Sequence, residues 1–132
     1  MNILKGKIIA VKTNGNLSLV EIDVDNISFK TIVVETPDTA SYLTKGNIVK
    51  VIFKETEVII GKGVEHAVSM QNKIVGKILT IENGELLSKL TIDIGIGNIV
   101  SIITTNAVQE LRLQVDEKIT AMIKTNEIML SE

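Results

Sequence analysis

Two lysines end apolar segments of the sequence and are followed directly by polar residues, in Lys54-Glu55-Thr56 and in Lys124-Thr125-Asn126. A lysine at the end of a strand, followed by polar residues in a tight turn, offers a positive charge and several backbone N–H groups. An oxyanion has only acceptor oxygens, so its site has to be built from such donors. Oxyanion binding is therefore one interpretation of these segments. The alternative is that both lysines are ordinary solvated residues at strand ends.

Other kinds of site chemistry have few residues to support them. The chain has no cysteine, which excludes a disulfide framework, a thiolate zinc site and a cysteine nucleophile. Its one histidine, His66, leaves little for a histidine-based metal site or a catalytic triad, and we interpret it as an incidental surface residue. No paired carboxylates, glycine-rich phosphate loop or nucleophile–base pattern is present. We therefore expect a protein that is not an enzyme and holds no metal ion.

The composition favours a folded β protein. Ile, Val and Thr make up 48 of the 132 residues, and these β-branched side chains favour strands. The net charge of −2 and the scarcity of aromatic rings argue against a nucleic-acid partner. No apolar run approaches the roughly 18–20 residues of a membrane span, and the first residues lack the layout of a signal peptide. We expect a cytoplasmic protein with no membrane partner.

The chain contains an internal repeat with a spacing of 70 residues. Asn2, Gly6, Lys7 and Ile8 recur as Asn72, Gly76, Lys77 and Ile78, and further matches follow in the same order. We interpret the spacing as slipping by one residue between 25–31 and 95–100, so that Thr36 matches Thr105. The predicted domains are a first module at 1–60, a linker and ligand-approach segment at 61–71, and a second module at 72–132.

Each repeat predicts five short strands, with one helix between the third and the fourth. The strands are expected near 4–13, 17–24, 28–34, 47–54 and 57–60, and again near 75–81, 90–94, 99–104, 118–124 and 127–130. The helices are expected at 37–43, capped by Thr36, and at 107–111, capped by Thr105 or Asn106. The predicted fold class is all-β, with two tandem OB-like five-stranded Greek-key barrels that each carry one short helix.

Several features favour association of these small modules. A module of about 60 residues buries only about 60% of its unfolded surface, so pairing of the modules and oligomerisation would stabilise both. The apolar runs 49–53 and 99–103 indicate strands that are covered on both faces. Gly6 and Gly76 have two interpretations, either a close backbone approach at a subunit interface or a bend in the strand.

The segments that open and close the second repeat have a specific pattern. They read Ser69-Met70-Gln71-Asn72-Lys73-Ile74-Val75-Gly76-Lys77-Ile78 and Ile119-Thr120-Ala121-Met122-Ile123-Lys124-Thr125-Asn126-Glu127-Ile128-Met129-Leu130, with partial matches at 2–8 and 51–60. They resemble the opening, Ser-Ala-Arg-Asn-Gln-Leu-x-Gly-x-Val/Ile, and the ending, roughly Val-x-Ala-x-Ile-Lys-Ala-Ser/Thr-x-Val-x-Ile, of the TOBE-type Mop module. This module belongs to the molbindins, small molybdate-binding proteins. The resemblance covers nearly the whole chain in two copies, as in a di-Mop molbindin.

The resemblance implies a function as well as a fold. It implies that molybdate or tungstate binds between OB-like modules without catalysis, and that the chain forms a homotrimer with six modules around a three-fold axis. The implied role is cytoplasmic oxyanion storage and homeostasis. The alternatives are a ligand-sensing regulatory module and a ligand-free assembly scaffold. The implied oxyanion-binding residues are Ser69, Gln71, Asn72, Lys54, Thr56, Lys124, Thr125, Asn126 and Thr105.

The sequence departs from the family pattern at three places. Gln71 stands where the family has arginine, so a charge and a bidentate donor fork are absent. Glu55 stands where the family has a small residue, which puts a carboxylate beside the expected anion site. The first repeat starts at Asn2 without the serine-bearing segment. We therefore expect sites that need this segment once per chain, completed by a lysine turn across a module boundary.

Overall fold

The computed structural model describes all 132 residues and contains ten strands. The strands are β1 (Asn2–Asn14), β2 (Leu17–Val24), β3 (Ile27–Val33), β4 (Ile48–Phe53), β5 (Ile59–Lys62), β6 (Asn72–Asn83), β7 (Leu87–Asp93), β8 (Asn98–Thr104), β9 (Lys118–Ile123) and β10 (Met129–Ser131). The helical segments are α1 (Thr105–Leu111) and two single 3-10 turns, Glu55–Glu57 and Thr125–Glu127. No helix has the length and apolar character that crossing a bilayer requires.

The strands form two five-stranded antiparallel sheets, in the orders β10-β4-β1-β2-β3 and β5-β9-β6-β7-β8. The last strand of each repeat is exchanged, because β5 pairs with β9 and β10 pairs with β4. The chain accordingly divides into a first compact unit, Met1–Phe53 with Lys124–Glu132, and a second compact unit, Lys54–Ile123. The boundaries of these units do not coincide with those of the sequence repeats, because the segments after Phe53 and Ile123 complete the sheet of the other repeat.

Alternation of apolar and polar residues builds the core of each unit. Every second residue of β2 is buried, beginning with Ser18. In the first unit the rings of Phe29 and Phe53 are both fully buried, with centroids 6.2 Å apart. Two fully buried isoleucines, Ile99 and Ile123, occupy the same repeat positions in the second unit. The all-β fold class with two five-stranded sheets is therefore confirmed.

Within the chain, the apolar runs 49–53 and 99–103 bury only alternate residues completely. In the first run Val49, Val51 and Phe53 are buried, whereas Lys50 is exposed and Ile52 is half-buried. One face of the strand is thus covered by its own unit. The cover that we expected on the second face is not supplied by the unit itself.

The two sheets keep the same 70-residue spacing along their whole length, so the predicted one-residue slip is wrong. Ile22 pairs with Phe29 in the first unit, and Ile92 pairs with Ile99 in the second. The connecting turns differ in composition but not in length. Asp25 and Asn26 supply positive φ angles in one, whereas Gly95 and Gly97 do so in the other. The structural counterpart of Thr105 is therefore Glu35 rather than Thr36.

The predicted helix at 37–43 is wrong, and this segment forms hydrogen-bonded turns instead. Helix α1 is present in the second unit, but its N-cap is Thr104, whose side chain accepts a hydrogen bond from the backbone N–H of Ala107. Thr105 and Asn106, the predicted caps, lie inside the helix. In the first unit Val34 stands at the position of Thr104 and Pro37 at that of Ala107. Since valine offers no acceptor and proline no N–H, this cap cannot form.

Gly6 and Gly76 mark a close approach between neighbouring strands of the same sheet. A Cβ atom on Gly6 would lie 2.5 Å from Ile22 Cγ2 and 2.9 Å from the carbonyl oxygen of Asp23. A Cβ atom on Gly76 would meet the equivalent atoms of the second unit at 2.6 and 2.9 Å. The strand packing inside each unit therefore accounts for both glycines without a subunit interface.

Candidate functional site

A tight turn follows each of the two lysines. Lys54 and Lys124 have extended backbone angles, with φ and ψ of −74° and 147° and of −69° and 146°, and each precedes a single 3-10 turn. The backbone N–H of the third residue along donates to the lysine carbonyl oxygen at 3.0 Å, from Glu57 in one turn and from Glu127 in the other. Both lysines are exposed. We call these segments, 54–57 and 124–127, the Lys54 turn and the Lys124 turn.

Each turn is fastened to the third strand of its unit by a buried hydroxyl group. In the first unit, Thr31 Oγ1 donates to the carbonyl oxygen of Ile128 at 2.7 Å and lies 3.1 Å from that of Thr125. In the second unit, Ser101 Oγ donates to the carbonyl oxygen of Val58 at 2.8 Å. Sequence reasoning missed Thr31 and Ser101. The signal was a hydroxyl residue at the same repeat position on the inward face of two strands, where the other residues of that face are apolar.

The two turns differ in charge. Thr125 and Asn126 follow Lys124, so the single acidic side chain of this turn is Glu127 at its end. Glu55 follows Lys54, so the charge of that lysine has a carboxylate next to it in sequence. A dianion is attracted by the first arrangement, whereas the carboxylate of the second opposes it. The Lys124 turn is thus the better candidate for an oxyanion.

The segment that leads into β6 has exposed and buried members. Ser69 and Gln71 are exposed, so their hydroxyl and amide groups are accessible. Asn72 is fully buried, and its Nδ2 atom donates to the carbonyl oxygen of Ile123 at 3.0 Å. One of the two amide hydrogens of Asn72 is therefore used to tie the start of β6 to the end of β9.

Thr105 likewise makes a side-chain hydrogen bond to the backbone that stabilises the fold. Its Oγ1 atom donates to the carbonyl oxygen of Gly84 at 2.8 Å and lies 2.8 Å from Ser88 Oγ. Thr105 thus joins the first turn of α1 to the β6–β7 hairpin, and its single hydroxyl hydrogen has an acceptor. It also lines an open cleft of about 650 Å³ that contains Arg112, the single arginine of the chain.

The nine predicted residues are distributed over both units. Lys124, Thr125 and Asn126 belong to the first unit, and the other six belong to the second. Asn72 and Thr105 are buried, Thr125 is half-buried, and the other six are exposed. No group of three or more His, Cys, Asp or Glu side chains has a geometry that could hold a metal ion.

Comparison with known proteins gives consistent matches. The TOBE domain model matches residues 68–130. The probable molybdenum-pterin-binding protein of Haemophilus influenzae is 39% identical over 64 residues, which are 93% of that protein and 48% of this chain. Molybdenum-pterin-binding protein 1 of Clostridium pasteurianum is 31% identical over 65 residues, 96% of that protein and 48% of this chain. Each of these relatives thus corresponds in length to about half of the chain.

A solved structure matches both halves together. It is a crystal structure of ModG, described as a cytoplasmic molybdate-binding protein, in a PEG-grown form with molybdate bound. The match covers 98% of this chain and 94% of that one, with a TM-score of 0.91 and 26% sequence identity. It agrees with two tandem OB-like modules, and the resemblance inferred from the opening and closing segments is confirmed. The chain therefore belongs to the TOBE-domain family of molybdenum-pterin-binding proteins.

Proposed function

We propose that this protein binds molybdate and serves in its cytoplasmic storage and homeostasis. The observation that carries the proposal is the match to molybdate-bound ModG, which extends over nearly all of both chains. The relatives named for molybdenum-pterin binding support the same ligand class. The proposed activity is binding without catalysis.

The proposed ligand groups are the exposed donors of the two turns and of the segment before β6. Lys124 supplies the main charge, and Thr125 and Asn126 supply neutral donors. Lys54 and Thr56 form the weaker counterpart because Glu55 opposes an anion. Ser69 and Gln71 are neutral donors, and Gln71 replaces a family arginine. Asn72 and Thr105 are proposed as weaker donors to the ligand, since each already donates a hydrogen bond to a backbone carbonyl oxygen.

We propose further that tungstate binds at the same groups, because it is a tetrahedral dianion of the same charge. A homotrimer is the proposed assembly. It follows the family pattern, and it would cover strand faces, such as that of Lys50 and Ile52, that their own unit leaves open. Light scattering should then give three times the 14.4 kDa chain mass. A mass of one chain at micromolar concentration contradicts the trimer.

Thermal unfolding with added oxyanions tests the ligand. A ligand that binds only the folded protein adds RT ln(1 + [L]/Kd) to its stability, about 2.7 kcal/mol at a hundredfold excess over Kd. Molybdate and tungstate should raise Tm, and sulfate and phosphate should raise it less. A Tm that does not change with millimolar molybdate or tungstate would contradict binding. With the trimer intact, that result would favour the ligand-free scaffold.

A further inference from the structure

Thr31 contacts two carbonyl groups of the Lys124 turn region. Its Oγ1 atom is 2.7 Å from the carbonyl oxygen of Ile128, which directly follows the turn, and 3.1 Å from that of Thr125, which lies inside it. The side chain is fully buried, so no water competes for the hydroxyl hydrogen. Its partners lie more than ninety residues away in sequence, which makes this contact a tertiary fastening of the turn.

The Lys54 turn is fastened differently. Ser101, the counterpart of Thr31, reaches only the carbonyl oxygen of Val58. The carbonyl oxygen of Glu55, which corresponds to that of Thr125, accepts instead from the backbone N–H of Val58 at 3.4 Å. This turn is therefore closed by its own backbone, whereas the Lys124 turn has a side-chain hydroxyl at the corresponding carbonyl.

We propose that Thr31 is a positioning residue for a tetrahedral dianion at the Lys124 turn. The inference rests on the proposed function. By fixing the carbonyl groups of Thr125 and Ile128, the hydroxyl fixes the peptide planes of the turn. It thereby restrains the direction of the Asn126 N–H, which shares a peptide plane with the Thr125 carbonyl group. Donors that are already oriented bind a ligand without first being ordered, and this improves affinity.

Threonine suits this role better than serine. A β-branched side chain has few allowed χ1 rotamers, so the hydroxyl of Thr31 is held toward the turn. Ser101 has no such restriction, in keeping with its single bond to Val58. The difference between the two residues therefore parallels the difference in charge between the two turns.

The test compares three variants of the full chain by calorimetric titration with sodium molybdate. Thr31→Val keeps the shape but removes the hydroxyl, and it should weaken binding by at least about tenfold, as loss of an orienting outer-shell contact does. Thr31→Ser retains the hydroxyl and should recover most of the affinity. Ser18→Ala is the matched control, because the fully buried Ser18 Oγ donates to the carbonyl oxygen of Glu35 at 2.6 Å, outside both lysine turns. It removes a side-chain-to-backbone hydrogen bond of the same kind, and it should lower stability while leaving the affinity nearly unchanged.

The outcomes separate positioning from a purely structural role. A purely structural Thr31 would lower the urea midpoint in Thr31→Val and Ser18→Ala alike and leave the molybdate affinity of the folded protein unchanged. That result overturns the proposal. If Thr31→Val does not fold, an NMR titration of the parent chain decides. The Thr31 methyl signal and the Asn126 amide signal should shift together with one Kd, and a Thr31 signal that stays fixed at saturation overturns the proposal.

The same experiments distinguish this inference from the proposed function. A parent chain that gives no heat with molybdate or tungstate contradicts the proposed function, and the positioning role of Thr31 fails with it. A parent chain that binds, with unchanged affinity in Thr31→Val, contradicts only the positioning role.

Discussion

The two units share one backbone plan but surround their lysine turns with different residues. The cross-strand pairs of β1, β2, β3 and β4 recur 70 residues later in β6, β7, β8 and β9. In the Lys124 turn of the first unit, two neutral residues separate the lysine from Glu127. In the Lys54 turn of the second unit, Glu55 stands directly beside the lysine. The units thus keep the same fold with different charged residues at their lysine turns.

A second pair of positions differs in the opposite sense, because here the first unit carries the acidic residue. Thr105 and Arg112 of the second unit correspond to Glu35 and Tyr42 of the first. Tyr42 donates a hydrogen bond to Glu35 Oε1 at 3.0 Å. The carboxylate of Glu35 thus stands where the other unit has the hydroxyl of Thr105, and the phenol of Tyr42 stands where it has the guanidinium group of Arg112. The buried apolar positions preserve the sheet in both units, whereas these polar positions, which lie outside the strands, differ in chemistry without altering it.

The largest effect is expected from removing the two lysines separately. Lys124→Ala should weaken molybdate binding by about 2–4 kcal/mol, because a bound dianion would lose its charged partner. Lys54→Ala should cost less than about 1 kcal/mol, since its turn already carries an opposing carboxylate. Calorimetric titration measures both variants, and Glu55→Thr in the parent chain should add affinity at the Lys54 turn.

Unfolding in urea is the control for the lysine variants. Both side chains are exposed, so neither substitution should change the free energy of unfolding by more than about 0.5 kcal/mol. Equal losses of affinity in the two variants would remove the functional difference between the turns. Unchanged binding in both would show that the ligand lies elsewhere.

Alanine substitutions at Gly6 and Gly76 test the close approach of neighbouring strands that both units share. Gly6→Ala and Gly76→Ala should each lower the free energy of unfolding by about 1–3 kcal/mol, because the new methyl group would overlap a neighbouring carbonyl oxygen and side chain. Gly6→Ala should cost more, since a Cβ there also meets Val24 Cγ2 at 2.7 Å, whereas the nearest Ile94 atom to Gly76 is at 3.3 Å.

Urea unfolding of Val75→Ala supplies the comparison for these glycines. Val75 is an exposed neighbour of Gly76 on β6, so its truncation should have little effect. If either glycine variant is as stable as the parent, the close approach of the strands in that unit is not required.

The sequence predicted the strands well because alternation and turn residues are local signals. It could not predict the exchange of β5 and β10, since the two segments have the same apolar pattern and either sheet could accept them. Thr31 looked like an ordinary strand residue because its acceptor on Ile128 is 97 residues away. Asn72 and Thr105 were among the ligands that the family resemblance implied, whereas their buried backbone partners become visible only in the folded chain.

The helix is present in the second unit only. Substitutions at its N-cap, and at the corresponding residue of the first unit, test the reason for this difference. Thr104→Val should destabilise the protein by about 1 kcal/mol, because the Ala107 N–H would lose its acceptor. Val34→Thr should change stability by less than about 0.5 kcal/mol, because Pro37 has no N–H to donate. Urea unfolding measures both variants. A marked gain in Val34→Thr would show that Pro37 does not prevent the cap.

The smallest effect is expected from the Tyr42–Glu35 pair, and it depends on pH. Burial, aided by the hydrogen bond to Glu35, raises the pKa of Tyr42 from 10.0 to about 12. The folded state therefore prefers the neutral phenol. This stabilisation is complete below the unfolded pKa near 10 and is lost as the pH rises through the folded pKa near 12.

Tyr42→Phe should accordingly be less stable than the parent at about pH 9, by no more than about 1 kcal/mol. The difference should shrink as the pH rises toward 12. Lysine titration over this range affects both proteins equally and cancels in the difference. Glu35→Gln should weaken the pH dependence by removing the carboxylate, and a parent–variant difference that stays constant from pH 9 to pH 12 would mean that the phenol is not held neutral by this pair.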